Sequence, residues 1–317
     1  MNFLVIVLAS QLLYYLLIVQ TGVVGAFDSH LHDIFTLPIG GVMGSLLSAY
    51  WRHDNLRQEL FFMFGTQMMI SWMYPNYSLG LLLVLGIVVG YTTPIMLHVF
   101  RGQSKKNLAL GLGISYAIGT ALYSYPFEER WIIAVVLPVI SIFALYFSVL
   151  SPKVTEHKTP LNWKMVGVMM MWIFADSALF ETLSRSGEMD IWSRFTALII
   201  TAHLFGVYLA YRYAKPLMHS SMIIVALFVL SYGLYYLHQP LVLCVIYPIA
   251  ISYYNVLVFR ELTQMRDIRS IGIAMVAVGW GAASVANFIA LEHQLWIAMV
   301  MLGLFVSVYP FYLRRNV

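Results

Sequence analysis

Long apolar stretches, broken at short intervals by small clusters of charged and turn-forming residues, run through the chain from one end to the other. Stretches such as Leu79–Val89 and Met222–Leu230 show no alternation of apolar and polar positions, which sets aside the strands of a membrane barrel and points to helices. A helix needs about 20 apolar residues to cross the hydrocarbon of a bilayer, with about 17 tolerated. On that criterion the pattern predicts twelve spans, at 2–26, 34–51, 59–75, 78–100, 107–125, 131–150, 164–183, 193–213, 219–237, 241–259, 270–290 and 295–313. Most connections are only a few residues long, so consecutive helices are expected as antiparallel neighbours. The first stretch has no Lys or Arg before its apolar run and no small-residue cleavage site, and so reads as a helix rather than a secretory leader.

Composition agrees with the pattern. The 317 residues are 61% hydrophobic and 10% charged with a mean hydropathy of +0.81, against roughly 45–50% and 25% in soluble domains, which excludes a water-soluble fold. The net charge of +4 would suggest nucleic acid in a soluble protein; here it implies basic loops held on one side of a membrane. With Met1 in the cytoplasm, all 18 Lys and Arg residues except Arg130, Arg185 and Arg194 fall on the cytoplasmic side. The outer loops instead hold acids such as Asp28, Asp33, Glu128, Glu129 and Glu292. A wrong span count would scatter this bias, so count and orientation support each other. The expected location is the cell (inner) membrane, with both termini cytoplasmic. The single cysteine, Cys244, excludes an internal disulfide and a cysteine-rich metal site.

The one long polar connection, Ser151–Lys164, divides the chain into an N-terminal bundle at 1–150, a cytoplasmic linker at 151–163 and a C-terminal bundle at 164–317, six helices on each side. Self-comparison points to a duplication. Val99-Phe100-Arg101 closes span 4 and Val258-Phe259-Arg260 closes span 10, while Ala49-Tyr50 with Leu56 echoes Ala210-Tyr211 with Leu217. Gly111 and Gly272 follow the first pair at similar distances. Two six-helix halves of the same orientation are what such a duplication produces.

In this architecture the chain resembles the major facilitator superfamily of secondary transporters. The loop between spans 2 and 3 carries part of that resemblance: Gly40, Gly41 and Gly44 precede Arg52-His53-Asp54-Asn55-Leu56-Arg57, although Tyr50 stands where the family has a loop glycine and Arg57 comes one residue early. Span 5 holds Gly111, Gly113 and Gly119 like the glycine-rich helix 5 of family antiporters, without the Gly-Pro pair. The resemblance implies that spans 1, 4, 7 and 10 line a central cavity and that Arg52, Asp54 and Arg57 form a conformational-switch loop.

A charge at membrane depth costs at least about 2.5–3.5 kcal/mol on insertion scales, so an acid that stays there is a functional candidate. Asp176 and Glu181 lie in span 7, five residues apart and therefore on different helix faces. Asp176, near mid-span, reads either as a protonatable or ion-binding carboxylate in the cavity or as an acid that locks two helices together. Glu181 and His203 in span 8 are the other proton-coupling candidates, with an interfacial acid and an interhelical hydrogen bond as the alternatives. Gln11, Tyr14 and Tyr15 share a helix face in span 1; with Tyr91, Thr92, Tyr253, Asn255 and Asn287 they are the substrate-binding candidates. His98 falls at the inner interface.

Asp28-Ser29-His30-Leu31-His32-Asp33 in the first outer loop could hold a divalent metal through Asp28, His30, His32 and Asp33, or the two acids could cap helices. The 18 methionines could pass copper or simply fill apolar space. No P-loop, no Gly-x-Ser-x-Gly elbow and no His-Glu-x-x-His is present, so the chain reads as no enzyme and as needing no cofactor. The reading that fits best is a monomeric symporter or antiporter moving a small solute with protons. The alternative is a metal- or haem-handling membrane assembly factor.

Overall fold

The computed structural model describes residues 2–23, 35–150, 161–185, 189–215 and 217–314. These form α1 (Phe3–Val23), α2 (Thr36–Tyr50), α3 (Leu56–Ser71), α4 (Leu79–Phe100), α5 (Lys105–Leu122) and α6 (Trp131–Phe147, entered through a 3-10 turn at Phe127–Arg130). They continue as α7 (Trp163–Arg185), a short helical turn at Ile191–Arg194, α8 (Thr196–Tyr213), α9 (Leu217–Tyr236), α10 (Pro240–Gln264), α11 (Ile268–Leu291) and α12 (Trp296–Arg314). No strand occurs among the described residues. By length and hydropathy alone, α1, α4, α6 with its 3-10 entry, α7, α9 from His219, α10 and α11 are long and apolar enough to cross a membrane. The chain is a multi-pass membrane protein.

Several helix starts are set by one polar side chain. The side chains of Asn2, Asn55, Ser78, Ser104 and Asp267 each accept a backbone N–H from the first turn of α1, α3, α4, α5 and α11. This capping moves two boundaries from where apolar runs alone put them: α3 begins at Leu56 rather than 59, taking Arg57 and Glu59 into its first turn, and α11 begins at Ile268 rather than 270. α10 also runs a turn past Phe259, so Val258-Phe259-Arg260 lies within the helix while Val99-Phe100-Arg101 ends α4.

The packing repeats when six is added to each helix number. α1 packs on α5 and α6 as α7 packs on α11 and α12; α2 packs on α4 as α8 on α10; α3 packs on α4 and α6 as α9 on α10 and α12. Across the middle, α2 meets α11 as α8 meets α5. The α2–α4 seam is a backbone contact. A Cβ on Gly40 would lie 2.2 Å from the Leu83 carbonyl oxygen, one on Gly44 2.1 Å from that of Ile87, and one on Gly86 2.2 Å from that of Leu37. Only residues without side chains allow helices to approach so closely.

Charge separates the two ends of the bundle. At the end holding the start of α1, Asn2 donates to Gln103, Arg57 donates to the Ser148 carbonyl, Arg101 to that of Arg266 at 2.8 Å and Arg260 to that of Lys215 at 2.8 Å. The opposite end carries Glu128, Glu129, Arg130, Glu181, Arg185, Asp190 and Glu292.

Candidate functional site

A cavity of about 230 Å³ opens where α1, α4, α5, α7, α10 and α11 meet. The family resemblance implies α1, α4, α7 and α10 there; α5 and α11 complete the wall with Ser115, Tyr116, Thr120, Val278 and Trp280. Two helices that border it change winding beside it. α1 passes into a π-helix at Tyr15–Val23 and α11 at Val276–Ala282, and Tyr15 meets Trp280 edge-on from these two segments at 6.5 Å. π segments are rare and concentrate at functional sites.

Asp176, halfway along α7, lines the cavity and is gripped from α10. The Tyr247 hydroxyl donates to its Oδ1 at 2.8 Å and to its backbone carbonyl at 3.0 Å, and the Tyr254 hydroxyl donates to Oδ2. Tyr247 and Tyr254 are seven residues apart, two turns on one face, so a single helix presents both phenols. Tyr232 of α9 donates to the neighbouring Ala175 carbonyl at 2.7 Å. Both carboxylate oxygens are thus held, and each keeps accepting capacity for a proton or a ligand.

Beside the acid lies an aromatic wall. The His203 ring stacks on Tyr116 with centroids 4.4 Å apart and planes 1° from parallel, and Trp192 lies 6.3 Å away on the same ring. His203 Nδ1 is 2.6 Å from the Ser252 hydroxyl. The indole N–H groups of Trp192 and Trp280, both cavity-lining residues, have no hydrogen-bond partner among the described residues. Of the described residues that line the cavity, Asp176 is the single carboxylate and none is Lys or Arg.

No protein-family model and no curated protein sequence matches the chain. Solved structures do. The human organic anion transporter MFSD10 is similar with a TM-score of 0.69 at 12% identity, over 97% of this chain and 97% of that one. A D-xylose-proton symporter is similar with a TM-score of 0.61 at 13% identity, over 97% and 96%. The proton:xylose symporter XylE, with 6-bromo-6-deoxy-D-glucose bound, is similar with a TM-score of 0.63 at 12% identity, over 96% and 94%. The fold is that of the major facilitator superfamily. Fold does not carry function, so the chemistry has to come from the site.

Within this major facilitator fold the sequence candidates separate. Asp176, His203, Gln11, Tyr14, Tyr15, Thr92 and Asn255 line the cavity. Gln11 also donates to Ser141 at 2.8 Å. Tyr14 is turned inward: Ser71 donates to the Gln67 carbonyl at 2.7 Å, so the Tyr14 phenol is the donor in its 2.8 Å contact with Ser71. The expected shared face of Gln11, Tyr14 and Tyr15 is therefore divided between the cavity and the inside of the α1–α3 contact. Glu181, toward the acidic end, is buried and pairs with Arg185 at 2.5 Å, away from the cavity lining. Tyr253 is buried outside the lining, and Asn287 lines a smaller cavity of about 70 Å³ between α1, α2 and α11. Tyr91 belongs to another network: its hydroxyl donates to Glu59 Oε2 at 2.8 Å, and the same oxygen lies 2.7 Å from His53 Nδ1.

In the α2–α3 loop, Arg52 and Asp54 pair with each other at 3.3 Å, both more than three-quarters exposed, and only Arg57 reaches a neighbouring helix. The contact between α2 and α11 at this end is made by others. Arg269 lies over the Tyr50 ring at 4.9 Å, and Gly272 packs on Ser45 and Ala49. The residue that replaces the expected loop glycine thus serves as a cation–π platform. Asp28, His30, His32 and Asp33 lie outside the described residues; among the described ones no group of three metal-type ligands converges.

Proposed function

We propose that this protein is a secondary active transporter that moves a small solute by alternating access, with Asp176 as its proton-coupling group. The observation that carries the reading is the cavity between the two sets of helices, which holds one acid at mid-depth, gripped by Tyr247 and Tyr254, with no Lys or Arg among its described lining residues. An acid kept at that depth is costly unless it is used. Protonation makes the site neutral and lets the empty carrier reorient, whereas the charged form waits for a cation. In this reading the chain crosses the cell membrane twelve times, with six-helix bundles at 1–150 and 164–317 joined by a linker at 151–163. The repeating helix contacts support the duplication, and the basic end supports cytoplasmic termini. The similarity to two proton symporters supports proton coupling.

The test is solute accumulation in proteoliposomes under an imposed pH gradient. Asp176→Asn is expected to abolish gradient-driven accumulation, and Asp176→Glu to retain part of it. Accumulation by Asp176→Asn with unaltered pH dependence would make Asp176 a helix lock, with His203 or Glu181 the next candidate.

A further inference from the structure

The proposal that follows rests on the transporter reading and names its substrate class. We propose that the cavity takes a monovalent organic cation with a flat apolar or aromatic body, in exchange for the proton on Asp176. The groups facing Asp176 decide its charge balance. From α10 these are Tyr247 and Tyr254, from α9 Tyr232 on the adjacent carbonyl, and from α1 and α5 Tyr15 and Tyr116. None of these phenols is a cation. The one histidine among the described lining residues, His203, is turned to Ser252 and covered on a ring face by Tyr116, and Tyr14 and Tyr123 are further phenols rather than cations. At the acidic end, Arg185 is paired with Glu181, and Arg130 is spent on backbone carbonyls and Thr21. Among the described lining residues the carboxylate thus has no cation beside it, and a cationic solute or a proton can supply the positive partner.

The ligand classes rank by this arrangement. An anion would meet an uncompensated carboxylate in an apolar cavity without a guanidinium or ammonium among the described lining residues, and is repelled. A neutral sugar satisfies hydrogen bonds but leaves the buried charge uncompensated. An organic monocation neutralises Asp176 and lays its body against Tyr116, Trp192, Tyr15 and Trp280, where ring faces favour a cation. The indole N–H groups of Trp192 and Trp280 are left to a ligand acceptor or to water. Because one carboxylate serves both, cation and proton bind alternately. The carrier then crosses the membrane either with the cation or with the proton, a one-for-one exchange that moves no net charge.

The experiment uses the full chain in nanodiscs and proteoliposomes, with three radiolabelled probes: methylphenylpyridinium as aromatic cation, aminohippurate as aromatic anion and xylose as neutral sugar. The expected result is that the wild type binds the cation at alkaline pH and about tenfold or more weakly at mildly acidic pH. A pH gradient should drive its accumulation without response to membrane potential, and Asp176→Asn should lose both binding and exchange. Should Asp176→Asn fail to fold, the proton competition in the wild type and cation binding by Asp176→Glu decide the matter. Accumulation of the anion or the sugar without cation binding overturns the substrate class while leaving the transporter reading intact. Cation–proton exchange that persists in Asp176→Asn overturns both the substrate class and the coupling role given to Asp176. Movement of none of the three probes, with no binding, overturns the substrate class and the transporter reading.

Discussion

Single side chains at this depth act through how many partners they have, and Arg130 shows it best. In the sequence it is one of three basic residues on the less basic side, with nothing to mark it out. In the structure it is 5% exposed and ties two helices together. Its Nη1 donates to the Leu17 carbonyl at 3.0 Å and to Thr21 Oγ1 at 2.9 Å on α1, and its Nη2 and Nε donate to the carbonyls of Tyr123 and Tyr125 past the end of α5. A cation at a helix C-terminus complements the exposed carbonyls, and only a guanidinium fork reaches both groups. Arg130→Lys is expected to lower stability by about 2–3 kcal/mol, read as a drop in melting temperature in detergent; an unchanged melting temperature would remove Arg130 as the fastener. His53 makes the same point at the other end. Its Nε2 lies 2.7 Å from the Ser48 carbonyl and its Nδ1 2.7 Å from Glu59. The same Glu59 oxygen also accepts from Tyr91, so one carboxylate joins the end of α2 to α3 and α4. Glu59→Ala takes the partner from both His53 and Tyr91 and is expected to cost about 1–3 kcal/mol, measured in the same melt. Asp176 was legible because a carboxylate stands out in an apolar run. Its grip by Tyr247 and Tyr254 was not, since two tyrosines among 21 have no signature before α10 is set against α7.

At the scale of the helix, sequence and structure agree on where apolar runs lie and differ where one capping side chain or one close approach decides. Gly40, Gly41 and Gly44 are conspicuous in the sequence, but their partners Gly86 and Gly90 look like ordinary members of an apolar span until α2 and α4 are brought together. Gly111 and Gly272, matched by position in the repeat, face different neighbours: Leu8 of α1 for the first, and Ser45 and Ala49 of α2 for the second. The π segments of α1 and α11 have no sequence signal at all. Gly41 shows why they matter, since a Cβ there would meet the Trp280 ring at 2.2 Å, so this glycine makes room for the cavity wall. The seam makes a direct prediction. Gly86→Val puts side-chain atoms where the Leu37 carbonyl now sits, and overpacking of this kind costs about 1–3 kcal/mol or more. Gly65, with nothing within 4 Å of its added Cβ, is the control: Gly65→Ala is expected to leave stability equal or raise it by up to about 1 kcal/mol. Equal melting temperatures for both variants would mean that α2 and α4 can separate at little cost.

For the whole molecule, the question is whether one set of helices moves against the other, and the α2–α11 contact at the basic end is where that motion must break something. Among the described contacts between the two sets of helices there are Gly272 on Ser45 and Ala49, Arg269 on Tyr50, and Arg101 on the Arg266 carbonyl. The two guanidinium contacts are at a surface and contribute little each, so in the proposed rocking motion they would give way at small cost. A Cβ on Gly272 would lie 2.9 Å from that of Ala49, short of the roughly 3.5–4.5 Å span of a disulfide, so a separation by about an ångström suits a bond. In a background with the buried Cys244 changed to Ser, Ala49→Cys with Gly272→Cys is expected to cross-link on mild oxidation. If the halves rock, the oxidised protein stops transporting and still binds solute from the opposite side, reduction restores transport, and either single cysteine transports throughout. Transport that continues at the full rate with the cross-link formed would mean that solute crosses without opening this end, and the two-bundle rocking mechanism would have to be given up.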